Sequence, residues 1–287
     1  MTARTHIRLL ALALAVTAGA VALADGRPEP ATVSLVSGGL SADLQAEHAW
    51  NLQRLSWEGV EVCTPTGAYG TLLCVPAAGG WIGGAHTEGG VEETENATLS
   101  VDGEVAELTD GAVYPGERAE LTKVSMLDVV QLDAQLVLED GRLTQRCGLT
   151  ATEDVVVSVI YPFMFCVSAE ATQWLAVTGD GEELSGEFTG ASGLEWHDDW
   201  QWTAAFIPEQ RTGFLLRHTG VPENARVLTG WWDTKRYRKL YVKLEIDQDP
   251  WPEGLRLAAE VVVVCFQAPP ATWQDVAREL AAGLVVE

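Results

Sequence analysis

Apolar and polar residues alternate through residues 130–151. Leu132, Ala134, Leu136 and Leu138 are separated by mostly polar neighbours. After Asp140-Gly141 the apolar face resumes at Leu143, Cys147, Leu149 and Ala151, with Gln145 as an exception. A period of two predicts strands with one buried face. Asp-Gly between such runs predicts a tight hairpin, because the centre of that turn needs positive φ. Glu58-Gly59, Asp102-Gly103 and Asp180-Gly181 repeat the signal. Further strands are expected at 32–36, 41–46, 97–101, 155–160, 174–178, 213–217, 239–245 and 257–266. The last is a continuous apolar run, as in a strand covered on both faces. One helix is predicted at 273–284, where Trp273, Val276, Ala277, Leu280, Ala281 and Leu284 follow helical spacing and Thr272 stands at the cap position. The expected fold class is all-β: a large antiparallel β-sandwich with one short C-terminal helix, in a single domain over 32–287.

The first residues change the picture of where the chain works. Arg4 and Arg8 precede an apolar stretch from Leu9 to Val16, and Ala22-Leu23-Ala24 precedes Asp25. That order predicts a cleaved signal peptide over 1–24, a loose leader over 25–31 and a secreted or periplasmic protein. The stretch is too short and Ala-rich for a membrane helix, and no later segment of the mature chain reads as one. The whole sequence has 18 basic and 41 acidic side chains, a formal charge of −23. Loss of Arg4 and Arg8 takes the mature chain to about −25, a field that repels nucleic acid and anionic lipid. It also disfavours polyuronates and sulfated glycans. Lys235-Arg236-Tyr237-Arg238-Lys239 is the basic run set against that charge.

Five cysteines in an exported chain invite disulfides. Cys63 and Cys74 flank the turn-rich segment TPTGAYGTLL and are the expected pair. Cys147, Cys166 and Cys265 lie in apolar strand patterns. There is no CxxC and no zinc-type spacing, so no metal and no cofactor is expected.

The candidate chemistry gathers around tryptophan. Six of the 11 tryptophans fall in three short clusters. The first is GGWIGGAHTEGG, with Trp81, His86 and Glu88. Its six glycines predict unusual dihedrals or a close approach of other groups, and His86 and Glu88 suit an acid–base pair. The second is LEWHDDWQW. Read as one strand, it puts Trp196, Asp198, Trp200 and Trp202 on one face, with His197 and Asp199 on the other. The third is WWDTKRY, with Trp231, Trp232, Asp233, Lys235 and Tyr237. Tyr237, Lys239 and Tyr241 share a strand face. Flat rings beside fixed polar groups suit a sugar, whose C–H faces stack while its hydroxyls take hydrogen bonds. Packing of the same rings in a core is the competing reading for each.

The order of these features resembles the galactose mutarotase-like β-sandwich, shared by aldose 1-epimerases and by domains of other carbohydrate-active enzymes. The resemblance runs from the opening strands and the hairpin at Trp57-Glu58-Gly59-Val60, through the middle meander, to the strand at Arg238-Lys239-Leu240-Tyr241 and the segment Gln267-Ala268-Pro269-Pro270. It implies the fold and a sugar ligand. Aldose 1-epimerases of this fold use one His as acid and one late Glu as base. The late position here reads Phe266-Gln267-Ala268 and holds no carboxylate.

The expected function is binding of a neutral carbohydrate, and, if the chain is an enzyme, proton transfer by His86 and Glu88 with His197 or Asp198. Trp81, Trp200 and Trp232 are the expected walls, with Asp233, Lys235 and Tyr237 as further binding groups. The rival is a non-catalytic sugar-binding or envelope module. A third reading, a polysaccharide lyase, draws on Tyr237 beside Lys and Arg, and the acidic charge opposes it.

Overall fold

A computed structural model describes residues 31–68, 70–84, 90–198, 200–222, 225–246 and 250–284. The chain opens with β1 (Thr32–Ser37), β2 (Leu40–Gln45), β3 (Asn51–Trp57) and β4 (Val60–Cys63), an antiparallel meander in a first sheet. β5 (Leu72–Val75), β6 (Gly80–Gly83) and β7 (Gly90–Val91) extend that sheet. A second sheet takes β8 (Glu93–Val101) and β9 (Glu104–Ala106). β10 (Val113–Pro115) returns to the first sheet before β11 (Arg118–Leu127), β12 (Val130–Glu139) and β13 (Arg142–Ala151) continue the second. β14 (Val159–Ser168) lies in the first sheet, and β15 (Gln173–Thr178) and β16 (Glu183–Glu187) in the second. β17 (Gly193–Asp198) is in the first, β18 (Trp200–Ile207) and β19 (Thr212–Gly220) in the second, β20 (Ala225–Asp233) and β21 (Tyr237–Ile246) in the first. β22 (Arg256–Gln267) completes the second sheet, and α1 (Trp273–Gly283) follows.

Among the described residues the first sheet has twelve strands, with main path β10-β1-β2-β3-β4-β14-β21-β20-β17. The second has ten, ordered β16-β15-β18-β19-β22-β13-β12-β11-β8-β9. β1 with β10 and β6 with β7 are parallel; the other pairings are antiparallel. The inward faces of both sheets form one cluster that includes Leu35, Leu55, Phe165 and Val242 from the first and Leu121, Leu132, Leu149 and Val261 from the second. The helix lies on the outer face of the second sheet, where Trp273, Ala277 and Ala281 pack on Phe206, Leu215 and Phe266. Burying a side chain as large as Phe206, Leu215 or Phe266 contributes about 1.5–3 kcal/mol.

The turns follow the residue pairs in the sequence. Glu58-Gly59, Asp102-Gly103 and Asp140-Gly141 have positive φ at both positions, while at Asp180-Gly181 only the glycine does. The strand expected at 155–160 instead begins at Val159 and runs to Ser168. A register shift between Ile160 and Phe163 accommodates Pro162, which has no N–H to give to a ladder. Thr272 precedes the helix without a side-chain capping bond.

The expected Cys63–Cys74 disulfide is absent, and all five cysteines are free thiols. Cys63 pairs with Val167 and Cys74 with Val159 on the same strand, β14. Eight residues of strand at about 3.3 Å each hold them roughly 25 Å apart, far beyond the span of a disulfide.

Candidate functional site

The first tryptophan cluster lies at the end of β5 and along β6. Pro76–Ala78 forms a single helical turn closed by Gly79 at φ 93°, and Gly80 follows at φ 122°. Gly83 and Gly84 are needed for another reason. A Cβ at Gly83 would lie 2.4 Å from the Thr71 carbonyl, and one at Gly84 1.9 Å from Asn51 Nδ2. Both uses of glycine that the cluster suggested therefore occur.

Gly84 abuts a buried polar network. Lys123 Nζ donates to Glu92 Oε1 at 2.5 Å, Asn51 Oδ1 at 2.8 Å and the Ala49 carbonyl at 2.7 Å. Asn51 Nδ2 donates to Glu92 Oε2 at 2.9 Å. All three ammonium protons have acceptors, which is what a buried charge requires. Burial lowers the Lys123 pKa, and Glu92 opposes that shift. Gln145, the polar exception in its strand, lines the narrow cavity beside this network with Asn51, Thr71 and Lys123.

Trp81 points to the outer face of the first sheet and stacks on Tyr161 at 5.6 Å and 11°. Tyr161 meets Tyr241 at 5.2 Å, and Tyr241 meets Trp232 at 6.2 Å and 27°. Four rings from β6, β14, β21 and β20 thus form a continuous row, floored by Leu72 and Met164. Trp81, Tyr161 and Trp232 are half-buried, and Tyr241 is 8% exposed. Lys239 lies in the same row. It is fully buried, pairs in register with Trp232 and Cys166, and sits 5.2 Å from the Tyr241 ring centroid. Its Nζ donates to the Gly67 carbonyl at 3.0 Å, which also accepts from Cys166 Sγ at 2.8 Å. Desolvation lowers the Lys239 pKa to about 8. Tyr237 is on the same strand face, against Gly67.

Trp200 lies elsewhere. It is 2% exposed in the inner core and stacks on Trp174. The single-strand reading of LEWHDDWQW fails because β17 ends at Asp198 in the first sheet and β18 begins at Trp200 in the second. His197 and Asp198 pair through the backbone with Thr229 and Leu228; their side chains lie outside the described set. His86 and Glu88 also lie outside the described residues.

The third cluster alternates across its sheet. Trp232 faces outward and Trp231 inward, donating from Nε1 to Thr203 Oγ1 at 3.1 Å. Asp233 faces inward with Trp231. Its Oδ2 accepts from Thr189 N and Gly190 N at 2.6 and 2.7 Å, and its Oδ1 pairs with Arg238 Nη1 at 2.9 Å. The basic run is not a surface patch. Lys235 and Arg236 are exposed, whereas Arg238 is buried, holds the Ala169 and Ala171 carbonyls, and stands 5.3 Å over Phe188. Sequence reasoning missed Tyr161, hidden in an apolar run, and placed Lys239 on one strand face with Tyr237 and Tyr241 without naming it as a site residue. Its place between Tyr237 and Tyr241 was the available signal.

No protein-family model and no curated protein sequence matches the chain. Solved structures do. The galactosidase domain of an α-galactosidase–sucrose kinase superposes with a TM-score of 0.53 and 8% identity, covering 82% of this chain and 40% of that one. A β-arabinopyranosidase gives 0.51 and 11%, covering 80% and 40%. The chain therefore spans about 40% of the length of these two glycosidases. A galactose mutarotase-like protein from Clostridium acetobutylicum gives 0.49 and 7%, covering 82% and 95%. The likeness is one of architecture alone: the chain is an all-β sandwich whose fold resembles that of the part of these two glycosidases on which it superposes.

Proposed function

We propose that the protein is exported and binds a neutral carbohydrate on the outer face of its first sheet. The observation that carries this reading is the row Trp81–Tyr161–Tyr241–Trp232 with Lys239 set among the rings. The half-buried rings of Trp81, Tyr161 and Trp232 match the C–H face of a pyranose, and Lys239, fully buried and donating to Gly67, helps to fix the row. The net charge of −23 disfavours an anionic sugar. Catalysis, in this reading, falls to His86 and Glu88. In the sequence they fall between β6, which carries Trp81, and β7, and Glu92 follows immediately after β7.

Titration of the mature protein with neutral mono- and oligosaccharides, read by tryptophan fluorescence and calorimetry, tests the binding. Trp81→Ala and Trp232→Ala are each expected to weaken it tenfold or more. Binding that survives both substitutions would refute the site. The enzyme and the non-catalytic module separate on His86→Ala and Glu88→Gln: loss of turnover with binding retained supports catalysis, while sugar binding without product in the unaltered protein supports the module. For export, the expected N-terminus by mass spectrometry is Asp25, and a retained Met1 on secreted protein would refute cleavage.

A further inference from the structure

The aromatic row on the first sheet is longer than one sugar. Its rings stand on four strands, Trp81 on β6, Tyr161 on β14, Tyr241 on β21 and Trp232 on β20, and β5 lies between the first two. Successive ring centroids are 5.6, 5.2 and 6.2 Å apart. Each step is close to the length of one pyranose in an extended glycan, and a pyranose has nearly the footprint of a tyrosine ring. The near-parallel pair overlaps only at its margins. Trp81 and Tyr161 are 5.6 Å apart at 11°, well beyond the about 3.5–4 Å of face-to-face contact. Trp81, Tyr161 and Trp232 are each half-buried. Tyr241, 8% exposed, links them, and Leu72 and Met164 complete the cluster.

We infer, on the reading of this row as the sugar site, that its ligand is an extended neutral glycan of at least three consecutive pyranoses lying along the row, and not a single sugar. A row on the outer face of a sheet meets its ligand along one side, whereas a site for one small molecule encloses most of the ligand's surface. A lone pyranose stacks on one of these rings and leaves the far end of the row bare. Association costs translational and rotational freedom once, at the first sugar. Each further pyranose that stacks adds contact without repeating that loss. The rings are held in line by the ladders of β6 with β5, β5 with β14, β14 with β21 and β21 with β20, so the row is ordered before a chain arrives. Its rings and their floor carry no formal charge, and the net charge of −23 opposes a polyuronate chain.

The test is a length series. The mature protein is titrated by calorimetry and tryptophan fluorescence with glucose, mannose, xylose and galactose, and with the cello-, malto-, manno-, xylo- and galacto-oligosaccharides from the disaccharide to the hexasaccharide. In a series that binds, affinity is expected to rise about fivefold with each pyranose up to the third or fourth and to level off beyond. Trp81→Ala and Trp232→Ala, at the two ends of the row, should each weaken the hexasaccharide tenfold and bring the plateau at least one residue earlier. A monosaccharide bound within threefold of its hexasaccharide, or a plateau already at the disaccharide, overturns the chain ligand and leaves the sugar site standing. A hexasaccharide affinity unmoved by either end substitution also overturns it, since the chain then does not span the row. No binding in any series overturns the chain ligand and the sugar site together. If an alanine variant does not fold, Trp81→Phe and Trp232→Phe, expected to be intermediate in affinity, and the length series in the unaltered protein decide.

Discussion

Two lysines are buried in this sandwich, and their surroundings give them opposite energetics. Lys123 has three acceptors, one of them a buried carboxylate. Lys123→Met takes from the buried Glu92 its cationic partner and leaves Asn51 as its hydrogen-bond donor among the described residues, and breaking a buried pair in this way costs about 3–5 kcal/mol. Chemical denaturation should show that loss, and Lys123→Met with Glu92→Leu should recover much of it. Lys239 is held by the Gly67 carbonyl, which it shares with the Cys166 thiol, and by an aromatic face. Its folded pKa of about 8 lies below the usual lysine value of 10.5. Below pH 8 both folded and unfolded chains carry the proton, so the cost of burying the charge is present in full. Between pH 8 and 10.5 the unfolded chain binds more protons, and stability from this group rises with pH by up to about 3 kcal/mol. Lys239→Met should be at least as stable as the parent at pH 7, and the gap should close toward pH 10.5. A gap that widens with pH would contradict the burial account.

Elements meet at places that the linear pattern does not mark. The Gly38-Gly39 turn between β1 and β2 touches the Asp140-Gly141 turn between β12 and β13, so two hairpins from different sheets abut at their tips. A Cβ at Gly38 would come within 2.3 Å of the Gly141 amide nitrogen, at φ 56°. Gly38→Ala therefore combines a left-handed penalty with a backbone clash and should cost about 2 kcal/mol or more. Gly59→Ala has positive φ but open space around it, and about 1 kcal/mol is expected. The comparison of their denaturation midpoints checks the contact. The same logic explains the third tryptophan cluster. Adjacent residues on a strand face opposite ways, so Trp231 serves the core and Trp232 the outer row from one short motif.

For the whole molecule, the thiols carry a clear expectation. Cys147 and Cys166 are pushed up to about 12 by burial, and Cys63 and Cys265 are also raised by burial. These four thiols stay protonated at neutral pH and react slowly. Dithiothreitol should leave the melting temperature unchanged, and a drop of several degrees would point to a disulfide. Alternation, Asp-Gly pairs and helical spacing were enough to read β1, β2, β12, β13, β15, β19, β21, β22 and the terminal helix, because those signals are local, while β11 and β20 were not named and β14 was placed too early. The site was half legible. Trp81 and Trp232 were named as walls and share the outer row, but Tyr161 lay in a run with no polar neighbour to single it out.

The sequence by itself determined the element types, the glycine turns, the acidic surface and the stock of aromatic side chains, because each follows from steric and hydropathic rules within a few residues. Tertiary structure decided which rings meet. The break between Asp198 and Trp200 sends one tryptophan cluster into two sheets, and pairing through β14 and β21 brings Tyr161, Tyr241, Trp232 and Lys239 together from distant positions. The partners of each strand are set by the packing of two complete sheets, and no local run of residues contains that information.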